Sequence, residues 1–378
     1  MPKKNIVMIG QKMVPSRDGG IETVVTILAP ILVKDGFNVL CINRNLKANN
    51  IKDYQQDSDG NNFYKGVKLK KAFTLNVKGL SAVTSSFFAT LFSVIKKKKV
   101  DVIHYHAEGP ALWIWIPRIF KIKTIVTIHG LDWKRDKWHG GIGAKYIKFA
   151  EKLISKYATH IIVLNKDTEK YFFEVYNRKT IYIPNGVQSP EYKKLNLLKR
   201  YGLTKGNYIC SVSRLTKEKG IHLLIKAFNN IDTEKKLVIA GDSSDTEDYK
   251  KYLYKLASRN SNIIFTGFLN KEELQELYSN SYSFIIPSNL EGMPMALLEA
   301  MSYGNCVIGS DIKEIYEVIE NKGILFKNGN INDLEKKLRF IIKNPEVVES
   351  YSKATSAYVL QKYNWNEIAE KTENLYLK

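Results

Sequence analysis

Residues 284–311 read FIIPSNLEGMPMALLEAMSYGNCVIGSD, and the fold turns on how this stretch is read. Phe284 to Pro287 is an apolar run of strand length, and Ser288 to Met293 is a tight loop. A helix is expected from about Pro294, because proline's missing N–H would have no partner at a first helical position anyway. Cys306 to Ile308 then reads as a second buried strand. The amides of Gly292, Met293 and Met295 are expected at the helix N-terminus, whose partial positive charge favours a phosphate. Glu291 stands beside that cradle and Glu299 lies eight residues on, inside the helix, so each could grip sugar hydroxyls. On periodicity alone, an ordinary strand–loop–helix with solvated glutamates fits equally well.

The residue pattern is more specific than its periodicity. Glu-x7-Glu, set within PSNLEGMPMALLEAMSYG (287–304), resembles the donor-binding motif of the family 4 glycosyltransferases. The resemblance implies that Glu291 meets the transferred sugar and Glu299 the nucleotide ribose. It places Ser288, Gly292, Met293 and Pro294 against the donor as well.

Upstream, Tyr208 to Val212 reads as a strand, followed by Ser213-Arg214-Leu215-Thr216-Lys217-Glu218-Lys219-Gly220 and a helix from Ile221 to Phe228. Arg214 and Lys219 leave the carboxyl end of that strand, where both could reach a pyrophosphate. Arginine would grip it bidentately and lysine as a point charge. Two solvated cations are the plain alternative. The order Ser-Arg-x4-Lys-Gly resembles the family's phosphate clamp, which implies that both residues serve the transfer itself. Leu237 to Ala240 and Ile263 to Thr266 are further strands, and the resemblance puts Phe268 near the nucleotide base.

The first half shows the same alternation. Asn5 to Ile9 is a strand, the loop Gly10 to Gly20 follows, and a helix runs from Ile21 to about Lys34. Adjacent Gly19 and Gly20 let a backbone approach a ligand closely, or make a plain turn. The loop lacks the GxGxxG fingerprint, which disfavours a nicotinamide site. In the family a Gly-Gly pair here lies against the donor phosphates or the acceptor. Val100 to His104 and Thr124 to Ile128 are strand-length apolar runs separated by a helical pattern, which implies a parallel sheet. His129 follows the second run at the edge where such sheets bind ligands. The segment HGLDWKRDKW (129–138) resembles a signature of family 4 enzymes that build capsular and exopolysaccharide repeat units, including rhamnosyltransferases. Many of those carry Asp where His129 stands. A lone histidine is usually structural, but His129 at a strand's carboxyl end is a candidate catalytic residue, and Asp132, Lys134 and Arg135 in the same segment are candidate acceptor contacts.

Ile-Pro-Asn-Gly-Val (183–187) is turn chemistry where a boundary is expected, and it resembles the family's interdomain junction. The expected division is an acceptor-binding domain over 1–187, joined by a returning C-terminal helix over 364–378, and a nucleotide-sugar domain over 188–363. The implied fold is α/β: two doubly wound, Rossmann-like domains facing a central cleft, the GT-B architecture.

The bulk properties agree with a chain of this kind. The 378 residues suit two domains, with 44% hydrophobic and 25% charged residues. Cys41, Cys210 and Cys306 fall in or beside expected strands, so reduced thiols and a cytosolic chain are expected. No leader pattern opens the chain, and no apolar run reaches the roughly 18 residues of a membrane span. The net charge of +20 calls for an anionic partner or reflects scattered lysines. Two segments could face anionic lipid or pack as core: Leu80 to Lys99, with Phe87, Phe88, Phe92 and Lys96 to Lys99, and Ala111 to Phe120, with Trp113 and Trp115. Asp57-Ser58-Asp59 has the Asp-x-Asp form of a metal motif but sits in a polar stretch and reads as a turn, so no metal and no cofactor are expected.

The function expected is retaining transfer of a sugar from a nucleotide diphosphate to a lipid-linked saccharide, on the cytoplasmic face of the membrane, in surface-polysaccharide synthesis. A nucleotide-sugar epimerase of similar fold would need an acid/base set beyond His129. A nucleic-acid-binding protein would need aromatics interleaved with the basic residues.

Overall fold

The computed structural model describes residues 4–45, 54–58, 60–77, 79–95, 100–135, 141–243 and 246–378. The chain divides into two compact units, Met1–Asn185 with Trp365–Lys378, and Gly186–Asn364. The expected boundary at 187/188 moves by two residues for a local reason. Val187 bridges Asn364, and its N–H donates to the Tyr363 carbonyl at 2.8 Å, which ties it to the second unit.

The first unit is built on a twisted, largely parallel sheet. Its elements in order are β1 (Asn5–Ile9), α1 (Gly20–Lys34), β2 (Asn38–Arg44), β3 (Gln55–Gln56), β4 (Asn62–Tyr64), β5 (Val67–Ala72), α2 (Ser81–Ile95), β6 (Val102–His106), α3 (Trp115–Ile119), β7 (Lys123–Ile128), α4 (Ile142–Tyr157), β8 (His160–Val163), α5 (Lys166–Tyr176) and β9 (Ile181–Tyr182). The strand order is β3-β4-β5-β2-β1-β6-β7-β8-β9. The central strands are apolar throughout, as strands buried on both faces must be. β1 pairs in parallel with both β2 and β6, and Ile6, Val7, Met8 and Ile9 are all buried. The order reverses between β1 and β6. At their ends Gly10 takes φ of 125°, and a Cβ there would stand 2.2 Å from the His106 carbonyl oxygen, so only glycine lets the two strand ends meet.

β3, β4 and β5 were not legible as strands in the polar stretch after Arg44. They form an antiparallel excursion turned by Lys65 and Gly66, both with positive φ, as a type I′ hairpin requires. Asp57, expected in a turn, accepts the Asn61 N–H at 2.8 Å; Asp59 lies outside the described residues.

The second unit runs β10 (Tyr208–Val212), α6 (Ile221–Asn229), β11 (Lys236–Ala240), α7 (Glu247–Ala257), β12 (Ile263–Gly267), α8 (Lys271–Asn280), β13 (Ser283–Ile286), α9 (Met295–Ser302), β14 (Cys306–Ser310), α10 (Lys313–Ile319), β15 (Ile324–Phe326), α11 (Ile331–Lys343) and α12 (Pro345–Lys362). Its sheet is parallel, in the order β12-β11-β10-β13-β14-β15, and reverses between β10 and β13. Residues from α6, α7, α11 and α12 close one core with the sheet, around Phe228, Leu253, Leu338 and Val348. Pro294 is not the first helical residue. It keeps an extended ψ of 107° and caps α9, its carbonyl accepting the Leu298 N–H at 3.3 Å.

α13 (Trp365–Leu377) returns to the first unit. Lys4 Nζ donates to the Tyr376 carbonyl at 2.7 Å, and the Tyr376 ring is fully buried against Phe37 and His104. All three cysteines are buried and free.

Candidate functional site

Open parallel sheets bind ligands beyond the carboxyl ends of their strands, where the strand order reverses. In the second unit that place lies between the loops after β10 and β13, and the backbone locks these loops together. Gly220, at φ of 65°, sits so close to the end of β13 that a Cβ would stand 1.9 Å from the Pro287 carbonyl oxygen. The Asn289 N–H donates to the Glu218 carbonyl at 2.8 Å. Ser288 is buried, and its carbonyl accepts the Ser310 hydroxyl. The result brings Lys219 Nζ to 2.6 Å from Glu291 Oε1, with side chains only 16% and 7% exposed.

This pair joins two of the sequence candidates, one from each side of the switch point. A lysine ammonium has three N–H donors, so the contact to Glu291 leaves two for another anion. Arg214 is half-buried two residues past β10. The strand ends beside it are stitched by Ser213 N–H to the Ala240 carbonyl, Leu215 N–H to the Asp242 carbonyl, and Gly241 N–H to the Gly267 carbonyl. Phe268 follows β12 and is 58% exposed, an aromatic face open to a flat partner. Gly292, Met293 and Pro294 run from Glu291 into α9, and Met293 is buried. Glu299 lies within α9, 3.5 Å from the Tyr278 hydroxyl.

The remaining candidates belong to the first unit. Gly19 and Gly20 open α1, and the loop before them is pinned by the Lys12 N–H donating to Glu22 Oε1 at 2.8 Å. His129 leaves the end of β7, where its Nε2 lies 3.1 Å from His106 Nδ1. His106 stacks on His104 at 4.3 Å, and His104 bonds the hydroxyls of Tyr376 and Thr127 at 2.7 and 2.8 Å. Burial drives all three imidazoles down, His104 and His129 to about 3, with Arg135 adding to the effect on His129. His129 is therefore neutral at ordinary pH, able to donate or accept a hydrogen bond but not to bring a positive charge. Asp132 and Lys134 lie in a 3-10 turn, and Asp132 pairs with Arg135 at 3.0 Å.

Reading the sequence missed His106, Glu108 and Glu151, all fully buried. A signal existed for Glu108, the only acidic residue between Asp101 and Asp132. Among the described residues, no three His, Cys, Asp or Glu side chains converge in a way that could hold a metal ion.

The apolar segments also resolve. Phe87 packs on Trp113 at 4.8 Å, and Phe92 lies under Lys70 Nζ at 3.9 Å, so of the three expected phenylalanines only Phe88 is exposed. Lys96 to Lys99 lie outside the described residues, as do Lys137 and Trp138. Among the described residues, no helix is long and apolar enough to cross a membrane.

Residues 195–375 match the family model described as Glycosyl transferases group 1, and residues 18–189 match that of Glycosyltransferase Family 4. A UDP-Gal:alpha-D-GlcNAc-diphosphoundecaprenol alpha-1,3-galactosyltransferase of Escherichia coli is 26% identical over 308 residues, 76% of this chain and 78% of that one. An uncharacterized glycosyltransferase of Methanocaldococcus jannaschii is 28% identical over 300 residues, 74% of this chain and 75% of its own. Among solved structures, sucrose-phosphate synthase from Thermosynechococcus elongatus superposes with a TM-score of 0.82 at 20% identity, covering 99% of this chain and 98% of that one. Anabaena Alr3699/HepE, solved with UDP and glucose, gives 0.80 at 17% identity, covering 99% of each chain.

Proposed function

The chain belongs to the family 4 glycosyltransferases of the GT-B fold, and from that premise we propose that it transfers a sugar from a nucleotide diphosphate to a lipid-linked saccharide with retention at the anomeric carbon. The observation that carries the reading is the Lys219–Glu291 contact at the switch point of the second unit. The costly step in such a transfer is departure of the nucleotide diphosphate. Lys219 and Arg214 stand where its developing negative charge would be met, and preorganised cations at that point lower the barrier. Glu291 orients the ammonium and reaches the sugar, Glu299 the ribose, and Phe268 the base. Gly292, Met293 and Pro294 carry the chain past the phosphates. The first unit takes the acceptor through Asp132, Lys134 and Arg135, and neutral His129 supplies a hydrogen bond rather than a charge. With cations in place no metal is required. Attack on the same face as the departing diphosphate accounts for retention without a paired carboxylate nucleophile.

The E. coli relative acts on a sugar linked to diphosphoundecaprenol, which supports a lipid-linked acceptor here and a role in capsule or exopolysaccharide synthesis at the cytoplasmic face. The surface of the first unit is consistent with peripheral attachment. α2 has no charged residue from Ser81 to Ile95, yet Phe88, Leu91 and Ile95 are 39, 37 and 72% exposed along one stripe. Lys68, Lys70 and Lys71 of β5 are exposed, and Lys70 reaches over Phe92 of that helix. An exposed apolar stripe on a helix whose Phe92 lies under Lys70 fits an anionic bilayer surface, with about 1 kcal/mol available per cation held near it.

Nucleotide release from UDP-, dTDP- and GDP-sugars, with and without a diphosphoundecaprenol-linked acceptor, tests the reaction. Acceptor-dependent release from at least one donor is expected, and none from any donor would overturn it. Vesicles with anionic lipid should bind the protein at low salt and release it at high salt, and Leu91→Glu with Ile95→Glu should abolish that binding. Unchanged binding of that variant would remove α2 from the membrane surface.

A further inference from the structure

A fully buried carboxyl group with no role so far holds the loop from His129 to Arg135. Ala107 closes β6 with φ of 77°, a strained left-handed backbone for a non-glycine residue, and Glu108 follows it into the interior. Glu108 Oε1 accepts the Asp132 N–H at 3.1 Å, while Oε2 is buried with no hydrogen-bond partner. Glu151 of α4 is buried nearby. Its Oε2 takes the hydroxyls of Tyr171 and Tyr176 at 2.8 Å each, and its Oε1 also has no partner. Trp133 of the same loop lies under Lys148 Nζ at 4.2 Å. Its indole N–H completes no hydrogen bond, yet it is close enough to Glu151 to favour that carboxylate. Tyr146 of α4 donates to the Gly109 carbonyl at 2.7 Å, so the chain on both sides of Glu108 is anchored.

We propose that Glu108 is the residue that positions the His129–Arg135 loop for the acceptor, through its hydrogen bond to the Asp132 amide. The acceptor role rests on the function proposed above; the hydrogen bond does not. Glu108 does this as the neutral acid. Desolvation, then the charges of Asp132 and Glu151, push its carboxyl well up. Among the described residues, the charged and titratable groups at this site are Asp132 and its ion-pair partner Arg135 on the turn, Glu151, Tyr146 and, over Trp133, Lys148 on α4, and Tyr171 and Tyr176 on α5. A proton on Oε2 leaves Oε1 as the carbonyl that receives the amide, and it removes a third negative charge from a site that already holds two other carboxyls. Loss of that proton at high pH would set Glu108 against both neighbours and loosen the loop.

Hydrogen exchange over residues 129–135, corrected for the intrinsic rate at each pH, tests this in Glu108→Gln and Glu108→Leu. Gln keeps the accepting carbonyl and cannot ionise; Leu has no acceptor. At pH 6 the wild type and the Gln variant should protect the segment equally, and the Leu variant should exchange roughly tenfold faster. As the pH is raised, wild-type protection should fall at a lower pH than the Gln variant's. The same divergence should appear in nucleotide release from whichever UDP-, dTDP- or GDP-sugar the wild type turns over with a diphosphoundecaprenol-linked acceptor. Wild-type protection in the Leu variant, or a Gln variant that follows the wild-type pH profile, overturns the proposal. If the Leu variant does not fold, the Gln pH profile still decides. A wild type that releases no nucleotide overturns the transferase reading and leaves the exchange result standing.

Discussion

Replacing Glu291 with Gln should separate the two jobs given to the Lys219–Glu291 pair. Lys219 Nζ lies 2.6 Å from Glu291 Oε1. A phosphate oxygen hydrogen-bonded to another hydrogen of the same ammonium, at about 2.8 Å, would lie no more than about 5.4 Å from that carboxylate oxygen. Two unit charges at that distance, in an effective dielectric of about 20, repel by roughly 3 kcal/mol. Solvent and salt reduce this, because the two side chains keep 16% and 7% of their exposure. Removing the charge should therefore tighten binding of a bare nucleoside diphosphate by about 10- to 100-fold. Transfer should nevertheless fall at least tenfold, because the amide orients Lys219 less firmly and no longer presents a carboxylate to the sugar. Isothermal titration with UDP, dTDP and GDP gives the first number and nucleotide release the second. Lys219→Met should weaken binding, and in the double variant the gain from Gln should shrink, since the phosphate is then no longer drawn against the carboxylate. If Glu291→Gln folds normally and binds each diphosphate no more tightly than the wild type, Lys219 does not meet the phosphate beside Glu291, and the clamp is refuted.

Transfer should survive EDTA and gain nothing from Mg²⁺ or Mn²⁺; activity that EDTA abolishes and metal restores would reject charge stabilisation by Arg214 and Lys219 alone. Gly20→Val should cut transfer while leaving the melting temperature in place, because among the described residues nothing beyond its chain neighbours and its own helix backbone lies within 4 Å of the position its Cβ would take; unchanged transfer would mean that no ligand approaches there. Acid should destabilise the first unit through His104, whose buried imidazole is pushed from 6.5 to about 3. The unfolded chain takes up that proton first, so the stability present above pH 6.5 is lost as the pH falls toward 3, by roughly 2 kcal/mol between pH 6.5 and 5. His104→Asn should remove that increment from the pH dependence of urea unfolding, and an identical slope in both proteins would show that His104 is not held neutral.

Much of the second unit's fold could be read from the sequence because its signals are local. β10, β11, β13 and β14 are short apolar runs, and each is followed by loop residues that mark a strand end. Arg214, Lys219, Glu291 and Glu299 sit within two continuous segments whose spacing carries the pattern. Contact between Lys219 and Glu291 was not legible, because 72 residues separate them and only the reversal of strand order brings β10 beside β13. The hairpin from β3 to β5 escaped notice for another reason. β3 and β4 are very short and partly exposed, the alternation is confined to Val67-Lys68-Leu69-Lys70 at the start of β5, and the other clue is the Lys65-Gly66 turn.

The first unit hides its candidate chemistry differently, and the difference follows from how each loop is held. In the second unit the loops after β10 and β13 are fixed backbone to backbone, through Gly220 against Pro287 and Asn289 against Glu218. Such contacts need a glycine at the right place, which a sequence displays. In the first unit the Ala107 N–H also bonds the Thr127 carbonyl at 2.9 Å, but the loops beyond β6 and β7 are held by side chains: His106 against His129, and Glu108 against the Asp132 amide. Buried groups of this kind are stable only while neutral or fully bonded. Their value depends on neighbours from α4, α5 and α13, so neither partner looks unusual alone. The two devices should also respond differently to conditions. A backbone lock is indifferent to pH, whereas a lock made of neutral imidazoles and a neutral acid loosens on either side of neutrality. Donor binding should therefore keep a flat pH profile over a range in which acceptor-dependent turnover already declines, and parallel profiles for the two would mean that the buried histidines and Glu108 do not govern the acceptor loop.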